Sequence, residues 1–349
     1  MEKDLKNNTR SELSVIITSF KQKTYFADYL FAFIHQKHTA DLNKISPIPK
    51  PFRAQLAETG YYISALSILK TQTDSDGTTK YLFGLPDGQC IETVRLVDEG
   101  RITLCLSTQV GCRMGCRFCA TGRLQFQRNL TAAEIVDQIY QIEQAQGPVQ
   151  NLVYMGMGEP LDNFNQVIRS LEILHDEQGR YFGMRHITLS TCGLTEPIRK
   201  LANLKIHPRL AVSIHAADDL LRSQLMPICR KEPLERLMQT LVYYQQRTGR
   251  RITIEYCMID GLNDTPELAG RLALLLSGLK TNVNLIELND YSGCPYRPSP
   301  GSRIKNFAAR LKEAGIDTAI RFKRGRSINA ACGQLGAEWL STAKIQEPA

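Results

Sequence analysis

Residues 112–119 are Cys112-Arg113-Met114-Gly115-Cys116-Arg117-Phe118-Cys119, in which three cysteines follow the spacing C-x3-C-x2-C. Three thiolates at this spacing can bind three irons of a four-iron cluster, which leaves the fourth iron open to a small chelating molecule. A cluster that only transfers electrons has four protein ligands. Zinc is the alternative, but structural zinc sites take four ligands, commonly in two separated pairs. The chain has no second C-x2-C pair and no nearby histidine, so the spacing favours iron–sulfur.

The composition is that of a folded globular chain. Its 349 residues are 43% hydrophobic and 22% charged, and this length can hold one large domain and a smaller one. The apolar runs are too short to cross a membrane, and the first residues carry both charges without an apolar signal core. We therefore expect a cytoplasmic protein whose ten cysteines lie in a reducing compartment.

The net charge of +8 favours an anionic partner such as nucleic acid. Basic residues are locally dense at 113–128 and 321–326, and smaller groups occur at Lys21 and Lys23 and at Lys50 and Arg53. Each group taken alone is more often an ordinary solvated surface, so the charge supports nucleic-acid binding only together with other features.

The pattern of the first hundred residues predicts a small accessory region. Residues 1–75 are expected to be mostly helical and are a candidate RNA-binding domain. Residues 76–100 are expected to form a hairpin that links to the core, with strands at 79–85 and 90–97 around the turn Pro86-Asp87-Gly88. The core then extends over residues 101–335, and a tail follows at 336–349.

Strands and helices alternate along the core, which predicts a parallel sheet closed or partly closed into a barrel. A capping box at Thr131 and Glu134 marks the start of one helix. Other helices are expected near 163–175, 194–204, 218–225, 232–247, 265–279 and 303–314. The predicted strands are 103–107, 151–155, 186–190, 209–214, 252–258, 283–288 and 317–322.

Polar and cysteine residues follow the predicted strands at the edge where such folds carry their chemistry. The three cysteines come after the first strand. The residues that follow or end the next strands are Gly158 and Glu159, Ser190, Ser213 and His215, and Asn289. We therefore expect these side chains to gather at one end of the barrel.

Further short segments are collinear with the cysteine motif: 107–111 (STQVG), 118–122 (FCATG), 155–160 (MGMGEP), 225–228 (LMPI) and 330–335 (AACGQL). With the motif, they resemble the RlmN/Cfr family of RNA adenosine methyltransferases, which belongs to the radical S-adenosylmethionine (radical SAM) superfamily. Cys229 stands where the family often has asparagine. The resemblance implies an α/β fold, a partial (β/α)6 barrel. It also implies a 4Fe-4S cluster bound by the three cysteines, and two molecules of S-adenosylmethionine per turnover.

The resemblance also implies which residues contact S-adenosylmethionine. Gly158 and Glu159 would meet its amino group, and four polar residues would line the rest of it, namely Ser190, Ser213, His215 and Asn289. Each position has a simpler explanation, because glycine suits any tight turn and a polar residue at a strand end often satisfies loop backbone.

Cys105 and Cys332 are implied to react. In the family, the residue matching Cys332 accepts a methyl group, which is then activated and added to an adenine carbon, carbon 2 more often than carbon 8. The residue matching Cys105 attacks it afterwards, so that a transient disulfide releases the product. Buried cysteines are otherwise usually inert. The implied partners are ribosomal and transfer RNA and an electron donor such as flavodoxin. We expect a monomer with no membrane partner.

The proton acceptor is open between Cys105 and Glu92, which matches a family glutamate proposed for that role. A glutamate on a hairpin is also often just solvated. The remaining cysteines match no reactive family position and are interpreted as packing or surface residues: Cys90, Cys192, Cys229, Cys257 and Cys294.

One segment departs from the family pattern R-G-x-D-I-D-A-A-C-G-Q-L. Ser327 and Asn329 replace its two carboxylates, whereas all the reactive cysteines are present. Two alternatives therefore stay open: a radical SAM enzyme of this architecture that acts on another substrate, and a metal-stabilised RNA-binding protein without catalysis.

Overall fold

A computed structural model describes residues 3–321 and 323–342 and shows an α/β fold built on one mixed ten-stranded sheet. The sheet has the order β1-β2-β3-β4-β7-β8-β9-β10-β11-β12, and β5 and β6 pair separately. The strands are β1 (Ser67–Thr73), β2 (Thr79–Gly84), β3 (Cys90–Asp98), β4 (Arg101–Cys105), β5 (Gln109–Val110), β6 (Arg128–Asn129), β7 (Asn151–Tyr154), β8 (Ile187–Thr191), β9 (Arg209–Ser213), β10 (Ile252–Met258), β11 (Thr281–Glu287) and β12 (Asp317–Arg321).

The α-helices of the described residues lie mainly between the parallel strands. They are α1 (Arg10–Ser19), α2 (Tyr25–His35), α3 (Lys50–Glu58), α4 (Ala120–Arg123), α5 (Ala132–Gln146), α6 (Phe164–His175), α7 (Thr195–Ala202), α8 (Asp219–Leu225), α9 (Leu234–Thr248), α10 (Pro266–Leu275), α11 (Gly301–Glu313) and α12 (Ala337–Thr342). Within residues 3–321 and 323–342, no helix has the length and apolar character that crossing a membrane requires.

Strand β4 and strands β7 to β12 are parallel to one another. Strands β1 to β3 extend the same sheet through antiparallel pairs. The predicted alternation of strands and helices is confirmed over the whole core. The strands are rich in buried branched residues, as expected for a sheet covered on both faces. Because the described strand order has free edges at β1 and β12, the barrel is only partly closed.

The predicted start of α5 is confirmed by its capping geometry. The Thr131 side chain accepts from the Glu134 N–H, and the Glu134 carboxylate accepts from the Thr131 N–H at 2.9 Å. The helix buries Ile135, Ile139 and Ile142 at helical spacing, so it packs its apolar face on the sheet.

The N-terminal helices α1 to α3 are fastened to the core through α5. Lys6 forms a buried ion pair with Asp137, whose other oxygen accepts the Leu66 N–H at 2.6 Å. Asn7 accepts the N–H of Ala133 at 2.9 Å. A buried charge pair of this kind is costly to separate, so the accessory helices hold a defined position against the barrel.

One expectation about the N-terminal region needs correction. Residues 67–73, expected within a mostly helical region, form strand β1, which pairs with β2 and is largely exposed. Its sequence lacks a clear apolar period, and main-chain pairing with β2 decides its structure. The predicted tail, residues 336–349, contains α12 in its described part. Residues 343–349 lie outside the described residues.

Candidate active site

One open cavity lies at the carboxyl ends of the parallel strands, where the topology brings distant segments together. Its wall includes the cluster loop, the glycine-rich turn after β7, and the loop that contains Cys332. The predicted residues that line it are Cys112, Cys116, Cys119, Gly158, Glu159, Ser190, Ser213, His215, Asn289 and Cys332. Cys105 and Glu92 do not line it.

The three motif cysteines occupy the loop between β5 and α4, and all three are half-buried. Burial raises the pKa of Cys112 to about 12 and the pKa of Cys116 well above that of a free thiol, and the charges of neighbouring cysteines add to both effects. Burial also raises the pKa of Cys119. Thiols in such a setting stay protonated unless a metal replaces the proton, so the donor set fits iron.

The cysteines do not share a single ion. Across the described part of the chain, no three His, Cys, Asp or Glu side chains form a group that could hold one metal ion. In a four-iron cluster each cysteine binds a different iron, so the ligands need only line one face of the cluster. The three cysteines meet this looser requirement because they line one cavity.

The glycine-rich turn after β7 packs directly on the segment that follows β4. The Gly156 N–H donates to the Leu106 carbonyl at 2.9 Å, and the Met157 N–H donates to the Ser107 hydroxyl at 2.9 Å. At Gly158, φ is +101°, and a Cβ would meet Gln109 Cβ at 2.5 Å. Glycine is therefore needed here for its positive φ and for close backbone approach.

Glu159 is buried, and main-chain donors hold its carboxylate. One oxygen accepts the Leu161 N–H at 3.0 Å, and the other accepts the Cys192 N–H at 2.8 Å. Burial raises the pKa of Glu159, and these hydrogen bonds oppose that change. A buried carboxyl with a raised pKa suits a site that receives an ammonium group, because a bound cation would favour the charged form.

His215 is held in one tautomer. Its Nδ1 accepts the Cys257 N–H at 3.0 Å, and burial lowers the pKa of the ring to about 3. A neutral imidazole that accepts at Nδ1 carries its hydrogen on Nε2. The residue lines the cavity in a left-handed conformation with φ of +58°, and its ring meets the edge of Phe118. His215 can thus donate one hydrogen bond to a ligand.

Asn289 has an oxygen that no group in the described residues satisfies. Its Nδ2 donates to the Cys332 carbonyl at 3.2 Å, whereas its buried Oδ1 lacks a hydrogen-bond partner. Buried polar atoms are rarely left unpaired, and a ligand is one common explanation. With Ser190 and Ser213 on the same wall, the lining fits a polar cosubstrate such as S-adenosylmethionine.

The structure brings Cys332 and Cys105 into electrostatic contact although 226 positions separate them in the chain. Cys332 lines the cavity, and burial of its thiol, followed by the charge of Cys105, raises its pKa well above the usual value. Cys105 ends β4, and burial raises its pKa to about 12. Both cysteines are free thiols.

Glu92 lies behind this loop rather than at the cavity. It is 3% exposed, with one oxygen 2.9 Å from Lys80 Nζ and the other accepting the Gly336 N–H at 2.7 Å. The alternative that Glu92 is simply solvated is therefore wrong.

Some cavity residues were missed by sequence reasoning. Glu255 on β10 is 6% exposed, lines the cavity, and accepts from Asn284 Nδ2 at 2.8 Å. A lone carboxylate inside an apolar strand was the available signal. Cys192 and Cys257 also line the cavity, and no local pattern distinguishes them from ordinary packing cysteines.

Two aspartates from another part of the chain form hydrogen bonds with the segment that departs from the family pattern. Asp76 accepts the Gly325 N–H at 2.9 Å, and Asp74 accepts the Ser327 N–H at 3.2 Å. A hydrogen bond from the Ser327 side chain lowers the pKa of Asp74. Both aspartates lie in the turn between β1 and β2, so this turn holds the start of the Cys332 loop.

Comparison with known proteins gives matches over nearly the whole chain. A profile of the radical SAM superfamily matches residues 106–271. The dual-specificity RNA methyltransferase RlmN of Syntrophobacter fumaroxidans is 43% identical over 338 residues, covering 96% of this chain and 98% of the relative. The ribosomal RNA large subunit methyltransferase N of Nitrosopumilus maritimus is 39% identical over 344 residues, covering 95% and 98%.

A solved structure matches equally well. The crystal structure of a radical SAM methyltransferase from Sphaerobacter thermophilus superimposes with a TM-score of 0.90 and is 40% identical, covering 96% of this chain and all of that one. The similarity includes the accessory helices and the sheet as well as the matched superfamily region.

Proposed function

The chain belongs to the radical SAM superfamily and, within it, to the RlmN family of RNA methyltransferases, and we propose on this basis that it methylates a carbon of adenine. Carbon 2 is the proposed position rather than carbon 8, and large-subunit ribosomal RNA and transfer RNA are the proposed substrates. The observation that supports this most strongly is that Cys332 lines the same cavity as the three motif cysteines, where the charge of Cys105 acts on its thiol.

The residues of the cavity have separate proposed tasks. Cys112, Cys116 and Cys119 would hold the cluster, while the turn at Gly158 and Glu159 would receive the amino group of S-adenosylmethionine. His215 and Asn289 would supply a donor and an acceptor to the same molecule, beside Ser190 and Ser213. When bound, the cluster and S-adenosylmethionine supply a 5′-deoxyadenosyl radical, which removes a hydrogen atom from a methyl group on Cys332.

Cys332 would first lose its proton and attack the methyl carbon of one S-adenosylmethionine, so that the methyl group bonds to the Cys332 sulfur and S-adenosylhomocysteine leaves. A second S-adenosylmethionine is consumed in activating that group, which makes two per turnover. The activated carbon on Cys332 would then bond to the adenine carbon, and the resulting adduct would give one electron to the oxidised cluster and the proton of that carbon to a base. The Cys105 thiolate would then attack the Cys332 sulfur, so that a disulfide forms and the sulfur–carbon bond breaks with its electron pair left on the bridging carbon, which takes up a proton and becomes the methyl group of the product. A thiol reductant must reopen that disulfide before the next turnover.

This route suits the chemistry of the target. An amidine carbon of adenine is electron-poor, so it does not attack an electrophilic methyl group but can accept a carbon radical. The proton on that carbon must then reach a base. Cys105 and Glu92 are the two proposed acceptors, and the charge of Cys105 acts on the Cys332 thiol.

The target base has to leave its stack to reach the cavity, and single-stranded loops permit this most easily. Arg113 and Arg117 on the cluster loop and Arg326 on the Cys332 loop are exposed and can contact phosphates. In the accessory region, exposed Lys23 lies over the ring of Tyr25 between α1 and α2. We propose that both surfaces contact RNA, that the protein acts as a cytoplasmic monomer, and that a donor such as flavodoxin supplies electrons.

The test is mass spectrometry of nucleosides from ribosomal and transfer RNA fractions. The host lacks its own homologue and expresses the wild-type protein, Cys332→Ala, or Cys90→Ala as a matched control away from the cavity. A 2-methyladenosine peak that requires Cys332 but not Cys90 supports the proposal, and 8-methyladenosine would correct the carbon. A protein with an intact cluster but no S-methyl group on Cys332 would refute it.

The replacements at Ser327 and Asn329 support one second candidate, an enzyme of the same mechanism with a different target. This candidate predicts S-methylated Cys332 in the purified protein but no new methyladenosine in either RNA fraction. The two measurements together therefore separate a changed target from a changed chemistry.

A further inference from the structure

Glu92 has no free oxygen in its buried setting. Its carboxylate is fixed on one side by the Lys80 ammonium at 2.9 Å and on the other by the Gly336 N–H at 2.7 Å. A proton acceptor must come within about 2.6–3.2 Å of the proton it takes. Both oxygens of Glu92 are already engaged in buried contacts, and the side chain does not line the cavity.

Lys80 extends the same contact network. It is 3% exposed on β2, diagonal to Glu92 on β3, and its ammonium also pairs with Glu338 at 3.0 Å. Gly336 and Glu338 both lie just beyond Cys332 in sequence. The β2–β3 hairpin therefore contacts the chain on the C-terminal side of Cys332 in two ways. Glu92 accepts the Gly336 N–H, and Lys80 pairs with the Glu338 carboxylate.

The short segment between Cys332 and Gly336 is also held from the cluster loop. The Ala120 N–H donates to the Gly333 carbonyl at 2.7 Å, and the Thr121 hydroxyl donates to the Leu335 carbonyl at 2.7 Å. Ala120 directly follows Cys119. The segment is thus clamped between the loop that would bind the cluster and the hairpin that contains Glu92.

We propose that Glu92 is a positioning residue: together with Lys80, it fastens the segment after Cys332 to the hairpin and so keeps the Cys332 thiol at the cavity. Proton removal from the adenine carbon then falls to Cys105. This inference rests on the proposed function for the role of Cys332, but the contacts that carry it do not depend on the substrate.

Two substitutions at Glu92 separate positioning from proton transfer. Glu92→Gln keeps an oxygen that can accept the Gly336 N–H but is not a base. Glu92→Ala removes both functions. Lys80→Met is the matched variant. It removes the Lys80 contacts to Glu92 and Glu338 from the neighbouring strand, but it does not remove any proton acceptor.

Three readouts are compared: hydrogen exchange of the amides at 333–340, S-methylation of Cys332 without RNA, and methylation of RNA. We expect Glu92→Ala and Lys80→Met to speed exchange of the Gly336 amide by about tenfold or more. Both variants should also lower S-methylation and RNA methylation together. Glu92→Gln keeps an acceptor for the Gly336 N–H but not the charge that faces Lys80, so any loss it shows should affect all three readouts together. Cluster content checks that each variant has folded.

The outcomes are distinct. If Glu92→Gln loses both the protection of the amides at 333–340 from hydrogen exchange and its activity, the result still supports positioning, because the negative charge that faces Lys80 would then be what holds the segment. A Glu92→Gln protein with a protected loop and S-methylated Cys332 that fails only on RNA overturns the proposal, as does unchanged exchange in Glu92→Ala. Wild-type protein that never S-methylates Cys332 would refute the proposed function instead, and the exchange result would stand apart from it.

Discussion

Gly158 permits a sharp test of how the glycine-rich turn is built. Alanine at this position must adopt φ near +101°, and its Cβ would lie 2.5 Å from Gln109 Cβ and 2.8 Å from Gln109 N. The Gln109 amide oxygen accepts the Glu159 N–H at 2.8 Å, so a displaced Gln109 also displaces Glu159. Gly158→Ala should therefore disturb both the fold and the cosubstrate contacts.

The magnitude follows from comparison with Gly88, which has φ of +80° and no atom within 4 Å of an added Cβ. Gly88→Ala should cost only the left-handed backbone penalty, about 1–2 kcal/mol. Gly158→Ala adds overpacking against fixed backbone, roughly 1–3 kcal/mol more. The expected loss of unfolding free energy is thus about 2–5 kcal/mol for Gly158→Ala.

The assay is urea unfolding of both variants, followed by equilibrium binding of S-adenosylmethionine to the reconstituted proteins. We expect Gly88→Ala to bind like wild type and Gly158→Ala to bind about tenfold more weakly or worse, since 1.4 kcal/mol of lost contact suffices for that ratio. If the two variants unfold and bind alike, the close approach at Gly158 has no consequence and the reasoning fails.

Three further predictions concern other regions. Replacing Ser327 and Asn329 with aspartate should change RNA preference more than cluster content, because an aspartate at 327 would repel Asp74, to which Ser327 now donates a hydrogen bond. Unchanged methylation of every RNA tested would contradict this. Burial lowers the pKa of His35 well below its usual value, so its contribution to stability is present above pH ~6.5 and is lost as the pH falls. Between pH 7.5 and 5.5, the unfolding free energy of His35→Phe, measured with urea, should therefore fall by about 1.4 kcal/mol less than that of the wild type. Equal decreases in the two proteins would refute this. Cys105→Ala should leave RNA covalently attached to the protein, visible as a slow band on denaturing gels, and release of free methylated RNA would count against the disulfide step.

The alternation of strands and helices in the core could be predicted because each element is marked by residues that lie close together in the sequence. Thr131 and Glu134 cap α5 through main-chain atoms three residues apart, and the buried strands are marked by their own branched residues. Strand β1 was missed because its sequence is compatible with several conformations, and only its pairing with β2 selects the extended one.

The sequence by itself determined which residues have the chemistry for the site. The spacing of Cys112, Cys116 and Cys119 and the glycines of the following turn are short-range patterns that no tertiary contact has to supply. The family resemblance added Cys105 and Cys332 as a reactive pair, although their separation along the chain contains no sign of proximity.

Only the tertiary structure decided where these groups stand and what restrains them. Parallel strand order gathers the cavity residues and places Glu255 on the cavity wall. The antiparallel pairing of β2 with β3 and the packing of the segment after Cys332 occupy both oxygens of Glu92 with Lys80 and Gly336. Such contacts join residues far apart in the chain, so they depend on sheet register and loop packing, which no local pattern of residues encodes.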